Sequence, residues 1–302
     1  MNKKVAIVIT HYNQERYLPE LLRSIAGQTY DNWTITLWDC CSRPEAIHLN
    51  EIARFRKLVQ EVIPRYEERV TVARNWMLDP VGRNRYLSVK TAIEIQDPDY
   101  VAIVDADDKW MTDKLDLQVP LFLWDDKVKM VFSDCYYLAG KEIAVQHNDY
   151  PVFTMDEDYV QLCRTFHDKY PPPKNQKDVF QTLLTKRNFM PCPTLMFDAK
   201  VWMKLITPTD YTSAEDYDWT LKFARHHRVD WCKEPLAYYR LHPDQVTRKT
   251  PAICTLDEIK VVLGWLKILK DNKENLILRW NAWFHLCWLW VKYLVKKRKE
   301  VK

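Results

Sequence analysis

Glycine is scarce in this chain, since only four of its 302 residues are glycine. The sequence contains neither the glycine-rich loop that cradles phosphates in P-loop proteins nor the Gly-x-Gly-x-x-Gly turn that binds dinucleotides. These two kinds of nucleotide site are therefore excluded. A protein with this sequence that binds a nucleotide must hold the phosphates with side chains and a metal ion instead.

Paired cysteines and a long apolar leader are also missing. The eight cysteines show no Cys-x-x-Cys spacing and no histidine at zinc-site spacing, so we interpret them as reduced thiols. The N-terminal apolar run, residues 5–9, is too short for a signal peptide, which predicts a cytoplasmic protein. The net charge of +4 is small beside 45 basic and 41 acidic residues, so we expect no nucleic acid as a partner.

The hydrophobic residues, 47% of the chain, are enough for a full core. Short apolar runs rich in Val and Ile alternate with segments of helical periodicity in the first part of the sequence. This alternation predicts an α/β fold with a mostly parallel sheet flanked by helices. The predicted strands are residues 5–9, 34–38, 69–73 and 100–104, and the predicted helices are residues 17–26, 44–62 and 84–95.

The alternation becomes less regular in the second part of the sequence. The segment 146–193, which contains consecutive prolines, is predicted to be an insertion. We expect residues 1–250 to form the main domain and residues 251–302 a C-terminal helical extension. Further strands are predicted at residues 128–133, 194–197 and 236–241, and further helices at residues 114–124, 215–225, 256–270 and 276–295.

Three acidic residues, Asp105, Asp107 and Asp108, directly follow the predicted strand at residues 100–104. Ligands of parallel α/β sheets bind at the carboxyl ends of the strands. Carboxylates this close repel one another unless a cation bridges them, and oxygen ligands favour Mn²⁺ or Mg²⁺. The cluster therefore predicts a metal site for a phosphate-bearing ligand. The alternative is that these carboxylates, Asp108 in particular, cap a following helix.

Polar clusters at predicted strand ends and helix starts occupy residues 10–13, 39–42, 105–108 and 214–217. In order and spacing, these clusters and the segments at residues 22–33, 132–134 and 234–242 resemble the inverting family 2 glycosyltransferases of the GT-A fold. No single cluster is specific, but the whole set in this order is. The resemblance implies a GT-A (Rossmann-like) catalytic domain within residues 1–250.

The resemblance also implies a donor site at the strand ends, with Asp105 and Asp107 in the positions of the family's Asp-x-Asp motif. The side chains after the first two strands would hold the nucleotide base and ribose. The implied donor-binding residues are Tyr12, Asn13, Asp39, Arg83, Asp105, Arg240 and His242, and the implied metal ligands are Asp105, Asp107 and His242. After Asp39 the chain departs from the family pattern, because Cys40, Cys41 and Ser42 stand where Asp-Gly-Ser is usual.

The catalytic residues implied by the resemblance are Asp216 and Glu215. An acceptor hydroxyl that attacks an anomeric carbon must lose its proton, and a carboxylate within hydrogen-bond reach can accept it. Asp216 is expected to be this general base and Glu215 to orient the acceptor, although the reverse assignment stays open. The alternative is that both carboxylates only cap the helix predicted at residues 215–225.

The resemblance implies an inverting, metal-dependent hexosyltransferase. It would transfer a sugar from a nucleotide-sugar, with UDP favoured, to a glycan or lipid-linked glycan acceptor in the synthesis of a cell-surface polysaccharide. The insertion at residues 146–193 is expected to shape the acceptor site. A nucleotidyltransferase and a non-catalytic nucleotide-binding protein of the same fold are the alternatives.

The C-terminal extension is rich in tryptophan and ends in a basic tail, residues 292–302. Charged and polar residues, including Arg279 and Lys292, interrupt the apolar segment at residues 276–295, which argues against a spanning helix. Trp and Tyr beside a basic tail favour a helix at an anionic membrane surface. The sequence therefore predicts peripheral contact with the inner face of the membrane. Packing against the catalytic domain or a partner subunit is the alternative.

Overall fold

The structure of the protein is a computed structural model that describes residues 2–42, 48–63, 66–75, 77, 79–140, 152–154, 159–273 and 276–300. Within these ranges the chain forms a ten-stranded sheet with helices on both faces. The predicted α/β fold with a mostly parallel sheet and a C-terminal helical segment is confirmed.

One half of the sheet consists of the strands β1 (Val5–His11), β2 (Trp33–Asp39), β3 (Val70–Arg74) and β4 (Tyr100–Asp105). They are parallel and lie in the order β3-β2-β1-β4. The central strands β1 and β4 are apolar runs that are buried almost throughout, as expected for a sheet covered on both faces. This half carries the strand ends that form the site described below.

The other strands are β5 (Lys109–Trp110), β6 (Val128–Gly140), β7 (Val152–Thr154), β8 (Tyr159–Thr165), β9 (Met196–Asp198) and β10 (Arg228–Leu241). Strand β9 lies between β4 and β6 and is antiparallel to both. Strand β6 and its parallel partner β10 therefore run in the same direction as β1. Strand β5 is antiparallel to β10, and the hairpin of β7 and β8 extends the sheet from β6.

The helices are α1 (Leu18–Ala26), α2 (His48–Gln60), α3 (Tyr66–Arg69), α4 (Val81–Gln96), α5 (Lys114–Trp124), α6 (Phe166–Lys169), α7 (Val179–Thr185), α8 (Ala199–Leu205), α9 (Glu215–His226), α10 (Val246–Lys249), α11 (Pro251–Asp271) and α12 (Leu276–Glu300). Side chains of β1 alternate between the two faces of the sheet. Val5 and Ile7 face a core formed with α1, α2 and α5, whereas Ala6 and Val8 face a core formed with α4, α9, α11 and α12. The C-terminal helices thus pack on the same core as the main domain.

The structure corrects the predicted bounds of two strands. Strand β6 continues to Gly140 instead of ending near residue 133, and β10 begins at Arg228 instead of residue 236. The two strands pair with each other over most of this added length. The described part of the predicted insertion at residues 146–193 contains β7, β8, α6 and α7, and the start of the helix predicted at residues 44–62 lies outside the described residues.

Candidate active site

The ends of β1, β2 and β4 meet at one edge of the sheet. His11 is the register partner of Asp39, and Thr10 is the register partner of Asp105. Thr10 Oγ1 donates a hydrogen bond to Asp105 Oδ1 at 2.7 Å, and His11 Nδ1 lies 3.2 Å from Asp39 Oδ1. Polar clusters that are far apart in the sequence therefore form one continuous site.

The acidic turn after β4 brings three carboxylates together. One carboxylate oxygen each of Asp105, Asp107 and Asp108 lies within 4.8 Å of the others. Burial, together with the charges of Asp107 and Asp105, raises the pKa of Asp108 well above its usual range. Closely spaced carboxylate oxygens are the ligands that hard divalent cations prefer, so this donor set fits Mn²⁺ or Mg²⁺.

The end of β10 holds the acidic turn in place. Arg240 is fully buried; its Nε donates to the Asp107 carbonyl oxygen at 2.6 Å, and its backbone N–H donates to Asp108 Oδ1 at 2.9 Å. His242 Nε2 lies 2.7 Å from Asp107 Oδ2. The structure thus brings the predicted residues Arg240 and His242 to the acidic cluster.

Asp108 does not cap a helix. The next helix, α5, begins only at Lys114, and Asp108 Oδ1 accepts its hydrogen bond from Arg240. The capping alternative is therefore wrong for this residue. Asp108 Oδ2 is buried without a hydrogen-bond partner among the described residues, and a buried polar atom of this kind needs a ligand or water to satisfy it.

A second buried network surrounds Asp39, whose side chain is inaccessible to solvent. Ser42 donates its backbone N–H to Asp39 Oδ1 at 3.1 Å, and the Arg74 guanidinium lies 3.4 Å from Asp39 Oδ2. The Arg74 Nη2 also donates to the Ser42 carbonyl oxygen at 2.8 Å. His11 and Arg74 were not predicted as site residues, although both lie at the ends of predicted strands and could have been found there.

Tyr12 and Asn13 follow β1 and border this network. Asn13 has a φ of 53°, a left-handed conformation that asparagine tolerates better than most residues, and its backbone N–H donates to Ser42 Oγ at 2.9 Å. The Tyr12 side chain is 47% exposed. An exposed aromatic ring at the strand edge can stack on a planar ligand. The structure therefore brings Tyr12, Asn13 and Asp39 together at the ends of β1 and β2, and their binding of a nucleotide stays a prediction.

Helix α9 begins with the two predicted catalytic carboxylates. Ala214, directly before the helix, has a φ of 73°, which is rare for a residue other than glycine. Glu215 is buried and lies 3.1 Å from Arg85 Nε. Burial raises the pKa of Glu215 to about 7, and the charge of Asp216 adds to the increase.

Asp216 is less enclosed than its neighbour. Its side chain is half-buried, and its Oδ1 accepts a hydrogen bond from the Tyr217 backbone N–H at 2.7 Å. Asp216 is the second residue of α9, where a carboxylate interacts favourably with the N-terminal N–H groups of the helix whether or not it is catalytic. Burial raises the pKa of Asp216, which brings the carboxylate closer to the range useful for proton transfer.

Arg85 connects the acidic turn to the start of α9. Its guanidinium contacts Asp105 through Nη2 and Glu215 through Nε. Arg83, the arginine predicted to bind the donor, is half-exposed and pairs with Asp210 at 2.8 Å. The structure therefore brings Arg85, rather than Arg83, into direct contact with the predicted carboxylates.

The sequence contains a signal for Arg85 that was missed. Arg85, Val89 and Ala92 are spaced four and three residues apart along α4, and all three are buried. This spacing is that of the inward face of a helix. An arginine on such a face needs a buried acidic partner, which Asp105 and Glu215 supply.

The fold is that of the GT-A glycosyltransferases. Similar solved structures include S. aureus TarS (residues 1–349) in complex with UDP-GlcNAc, with a TM-score of 0.58, 15% identity, and coverage of 87% of this chain and 66% of that chain. The protein belongs to glycosyl transferase family 2, because the model of that family matches residues 6–196. The family prediction made from the sequence is confirmed.

Further comparisons agree with this family. The mannosyltransferase PcManGT from Pyrobaculum calidifontis, solved with GDP-Man and Mn²⁺, has a TM-score of 0.54 and 13% identity over 98% of this chain and 88% of its own. A putative teichuronic acid biosynthesis glycosyltransferase, TuaG of Bacillus subtilis (strain 168), is 26% identical over 39% of this chain and 42% of its own length. An uncharacterized glycosyltransferase of Methanocaldococcus jannaschii is 25% identical over 78% of this chain and 70% of its own length. The match therefore spans less than half of TuaG.

Proposed function

We propose that the protein is a metal-dependent, inverting glycosyltransferase of the hexosyltransferase type. It transfers a sugar from a nucleotide-sugar, with UDP-sugars favoured, to a hydroxyl of a glycan or lipid-linked glycan. The observation that carries this proposal is the set of three carboxylates within 4.8 Å of one another at the edge of the sheet. A metal site at this edge suits a nucleoside diphosphate, since the chain lacks a glycine-rich phosphate loop.

The metal ligands in this proposal are Asp105, Asp107 and His242, and the ion is Mn²⁺ or Mg²⁺. A divalent cation supplies the positive charge that stabilises a diphosphate leaving group. His242 Nδ1 is buried without a hydrogen-bond partner among the described residues, whereas Nε2 lies beside Asp107 Oδ2 and the ring packs against Tyr17. Arg240 fixes the backbone of the acidic turn and thereby keeps the carboxylates together.

The donor nucleotide in this proposal binds at the ends of β1 and β2. Tyr12 stacks on the base, and the side chains of Asn13 and Asp39 form hydrogen bonds with the base and the ribose. Asp39 is held by Ser42 and Arg74 and is buried in this structure, so a donor would have to displace part of this network to contact its carboxylate. Arg83 remains a predicted donor contact and would have to leave Asp210 to make it.

Asp216 is the proposed general base. Its carboxylate accepts the proton of the acceptor hydroxyl while that oxygen attacks the anomeric carbon and the bond to the nucleoside diphosphate breaks. A single displacement inverts the configuration, so an α-linked donor yields a β-linked product. Glu215 is held by Arg85 and orients the acceptor. Asp216 is favoured as the base because it is the less enclosed of the two carboxylates.

The relatives support the donor class and the setting. TarS has been solved with UDP and with UDP-GlcNAc, and PcManGT with GDP-Man and Mn²⁺, so nucleotide-sugar binding is common to structures of this fold. TuaG is described as a glycosyltransferase of teichuronic acid biosynthesis. In our proposal the protein acts in cell-surface polysaccharide synthesis, in the cytoplasm at the inner face of the membrane. Residues 152–154 and 159–193 are the described part of the segment proposed to shape the acceptor site.

Release of nucleoside diphosphate from nucleotide-sugars tests this proposal. With Mn²⁺ present, the protein should slowly hydrolyse one donor or transfer its sugar, and chelation or Asp107→Ala should abolish release. Asp126→Ala, at an exposed aspartate outside the site, should have no effect. Release of pyrophosphate from a nucleoside triphosphate and a sugar phosphate would instead indicate a nucleotidyltransferase, and nucleotide binding without turnover would indicate a non-catalytic protein.

A further inference from the structure

Helix α12 has two faces with different surroundings. One face is docked on the main domain, since Ala282, Leu286 and Leu289 are buried in the core that also contains α4 and α9. His285 is on the same face, and its Nδ1 is 2.8 Å from the carbonyl oxygen of Leu184 in α7. These contacts fix how the helix is rotated about its axis. They therefore determine which side chains point away from the domain.

The outward side of α12 is apolar and aromatic. Nine of its large apolar residues are each more than half exposed, and six of these lie between Trp280 and Leu294: Trp280, Trp283, Phe284, Trp288, Val291 and Leu294. We name these six residues the aromatic face. Their spacing of three and four residues places them on one side of the helix over roughly 21 Å. A continuous exposed apolar surface of this length is unusual for a monomeric soluble protein and indicates a binding surface.

The charges beside the aromatic face are basic. Within residues 276–300, Arg279, Lys297, Arg298 and Lys299 are basic and near the face in sequence, Lys292 is paired with Glu258 at 3.3 Å, and Glu300 is the single acidic residue. Glu300 accepts a hydrogen bond from the Ala252 backbone N–H at 3.0 Å and so belongs to the hairpin of α11 and α12. The surface around the aromatic face therefore favours an anionic partner.

A second copy of this chain fits the aromatic face less well than a membrane does. Two copies that met through this face would each bring a basic cluster to an interface that offers few acidic groups in return. Trp side chains beside Lys and Arg are instead the composition of helices that lie in the interface of anionic bilayers. The buried inner face excludes insertion across the bilayer, because the helix would have to leave the domain core.

We propose that α12 lies in the plane of an anionic lipid bilayer, with the aromatic face in the headgroup region and residues 297–299 on the lipid phosphates. The helix is a peripheral docking element for which the main domain supplies the rigid support. The docking of α12 does not depend on the proposed function, whereas the proposal of a lipid-anchored acceptor rests on it.

The basic end of α12 contacts the start of α11, and Asp257 of α11 accepts a hydrogen bond from the Thr212 backbone N–H in the segment before α9. Lys296 Nζ donates to the Pro251 carbonyl oxygen at 3.2 Å and to Thr255 Oγ1 at 3.0 Å, so this end contacts the start of α11. Helix α11 follows β10, which ends beside His242, through the short helix α10. A bilayer that binds residues 297–299 therefore lies near the edge that carries the carboxylates. This position suits an acceptor that is anchored in lipid.

Co-sedimentation with vesicles tests the docking inference. The full chain should bind vesicles of phosphatidylcholine with phosphatidylglycerol and should bind phosphatidylcholine alone more weakly. The double variant Trp283→Ser/Trp288→Ser should bind the anionic vesicles at least about tenfold more weakly. Trp124→Ser removes a still more exposed tryptophan from α5 and should leave vesicle binding unchanged. Lys297→Gln and Lys299→Gln should each weaken binding to the anionic vesicles about fivefold.

Any of three results would overturn the docking inference. The first is the absence of binding to anionic vesicles, and the second is binding that the double variant keeps. The third is a dimer in solution that Trp283→Ser/Trp288→Ser dissociates while vesicles do not compete, since a second copy would then cover the aromatic face. The nucleotide release assay uses a soluble donor and no vesicles, and the double variant should retain it. If the unchanged protein binds anionic vesicles but releases no nucleoside diphosphate, the docking of α12 on the bilayer is still supported. Only the proposal of a lipid-anchored acceptor is then without support.

Discussion

The central residues of the site are carboxylates whose surroundings differ. Asp107 is hydrogen-bonded to His242, Asp108 is buried with one oxygen that has no partner in the described part of the chain, and Glu215 is paired with Arg85. Asp216 is the most open of the carboxylates at the start of α9. Different surroundings give carboxylates different roles, because burial and neighbouring charge decide which of them holds a proton near neutral pH.

Substitution of the proposed base separates catalysis from binding. Asp216→Asn should lower the rate of sugar transfer about 10²- to 10⁴-fold, since the acceptor hydroxyl then has no carboxylate to take its proton. The dissociation constant of the donor nucleotide, measured by calorimetry, should stay within about twofold, because Asp216 makes no contact with the metal cluster in this account. A larger loss of rate in Glu215→Gln than in Asp216→Asn, with donor binding intact, would reverse the two roles.

The raised pKa of Glu215 predicts a pH-dependent stability. The pKa is raised from 4.5 to about 7 in the folded state, mainly by burial. Between these values the folded state keeps a proton that the unfolded state has lost, so the free energy of unfolding should fall as pH rises from about 4.5 to about 7. The variant Glu215→Gln has no carboxyl to titrate at this position. Its free energy of unfolding, measured with urea, should therefore rise relative to that of the unchanged protein between about pH 5 and about pH 8.

A matched control separates this effect from the general titration of the chain. Glu61→Gln changes an exposed glutamate outside the site and should follow the pH dependence of the unchanged protein. Equal pH dependence in Glu215→Gln and in the unchanged protein would contradict the assignment of a raised pKa to Glu215.

Single residues of the site were predictable from sequence to different degrees. Asp105 and Asp107 stand directly after an apolar strand, so their position at the sheet edge followed from a local pattern. Arg85 lies on α4 and contacts Asp105 at the end of β4 and Glu215 at the start of α9. These contacts depend on how the helices α4 and α9 pack, which no local pattern contains. The capping role proposed for Asp108 failed for the same reason, because its partner Arg240 comes from the distant strand β10.

At the scale of elements, the start of α4 depends on a close approach to the segment before α9. A Cβ on Gly82 would lie 2.7 Å from Thr209 Oγ1 and 3.0 Å from the Thr209 carbonyl oxygen. Gly82 N–H also donates to the Tyr211 carbonyl oxygen at 2.9 Å. Glycine is therefore required here for space, and the contact helps to set where Arg85 and the start of α9 meet.

Alanine at this position should be destabilising. Gly82→Ala should lower the free energy of unfolding by about 1–3 kcal/mol, because the backbone oxygen cannot move aside without shifting the segment. Gly264→Ala, within α11 and with open space around its Cβ position, should instead raise it by about 0.5–1 kcal/mol. Urea unfolding of the two variants checks both signs, and a neutral Gly82→Ala would contradict the close packing.

The elements that were predicted best are those with purely local signals. The buried strands β1, β2 and β4 are short apolar runs, and helices α1 and α5 show clear apolar periodicity, so all five were predicted near their observed bounds. The extra length of β6 and β10 was missed because it is polar and aromatic in composition. Those residues become strands by pairing with each other and with β8, a long-range effect that local patterns do not contain.

At the scale of the whole molecule, the sheet separates two cores and leaves its carboxyl-terminal edge for the site. The helices α11 and α12 pack on one of these cores, so the C-terminal segment is part of the same structural body as the site-bearing sheet. No helix among the described residues is long and apolar enough to be a candidate membrane span. Composition alone predicted the apolar and basic character of α12, but only the packing of its inner face shows which residues are left to bind a partner.

Isothermal titration calorimetry with UDP, GDP, CMP and dTDP, each with and without Mn²⁺, tests the central claim most directly. One nucleoside diphosphate should bind in the presence of Mn²⁺, and omission of the metal or the substitution Asp107→Ala should weaken binding at least roughly tenfold. Asp126→Ala should bind as the unchanged protein does. If none of the nucleotides binds in a manner that requires both the metal and Asp107, the acidic turn is not a donor site and the proposed transferase activity is contradicted.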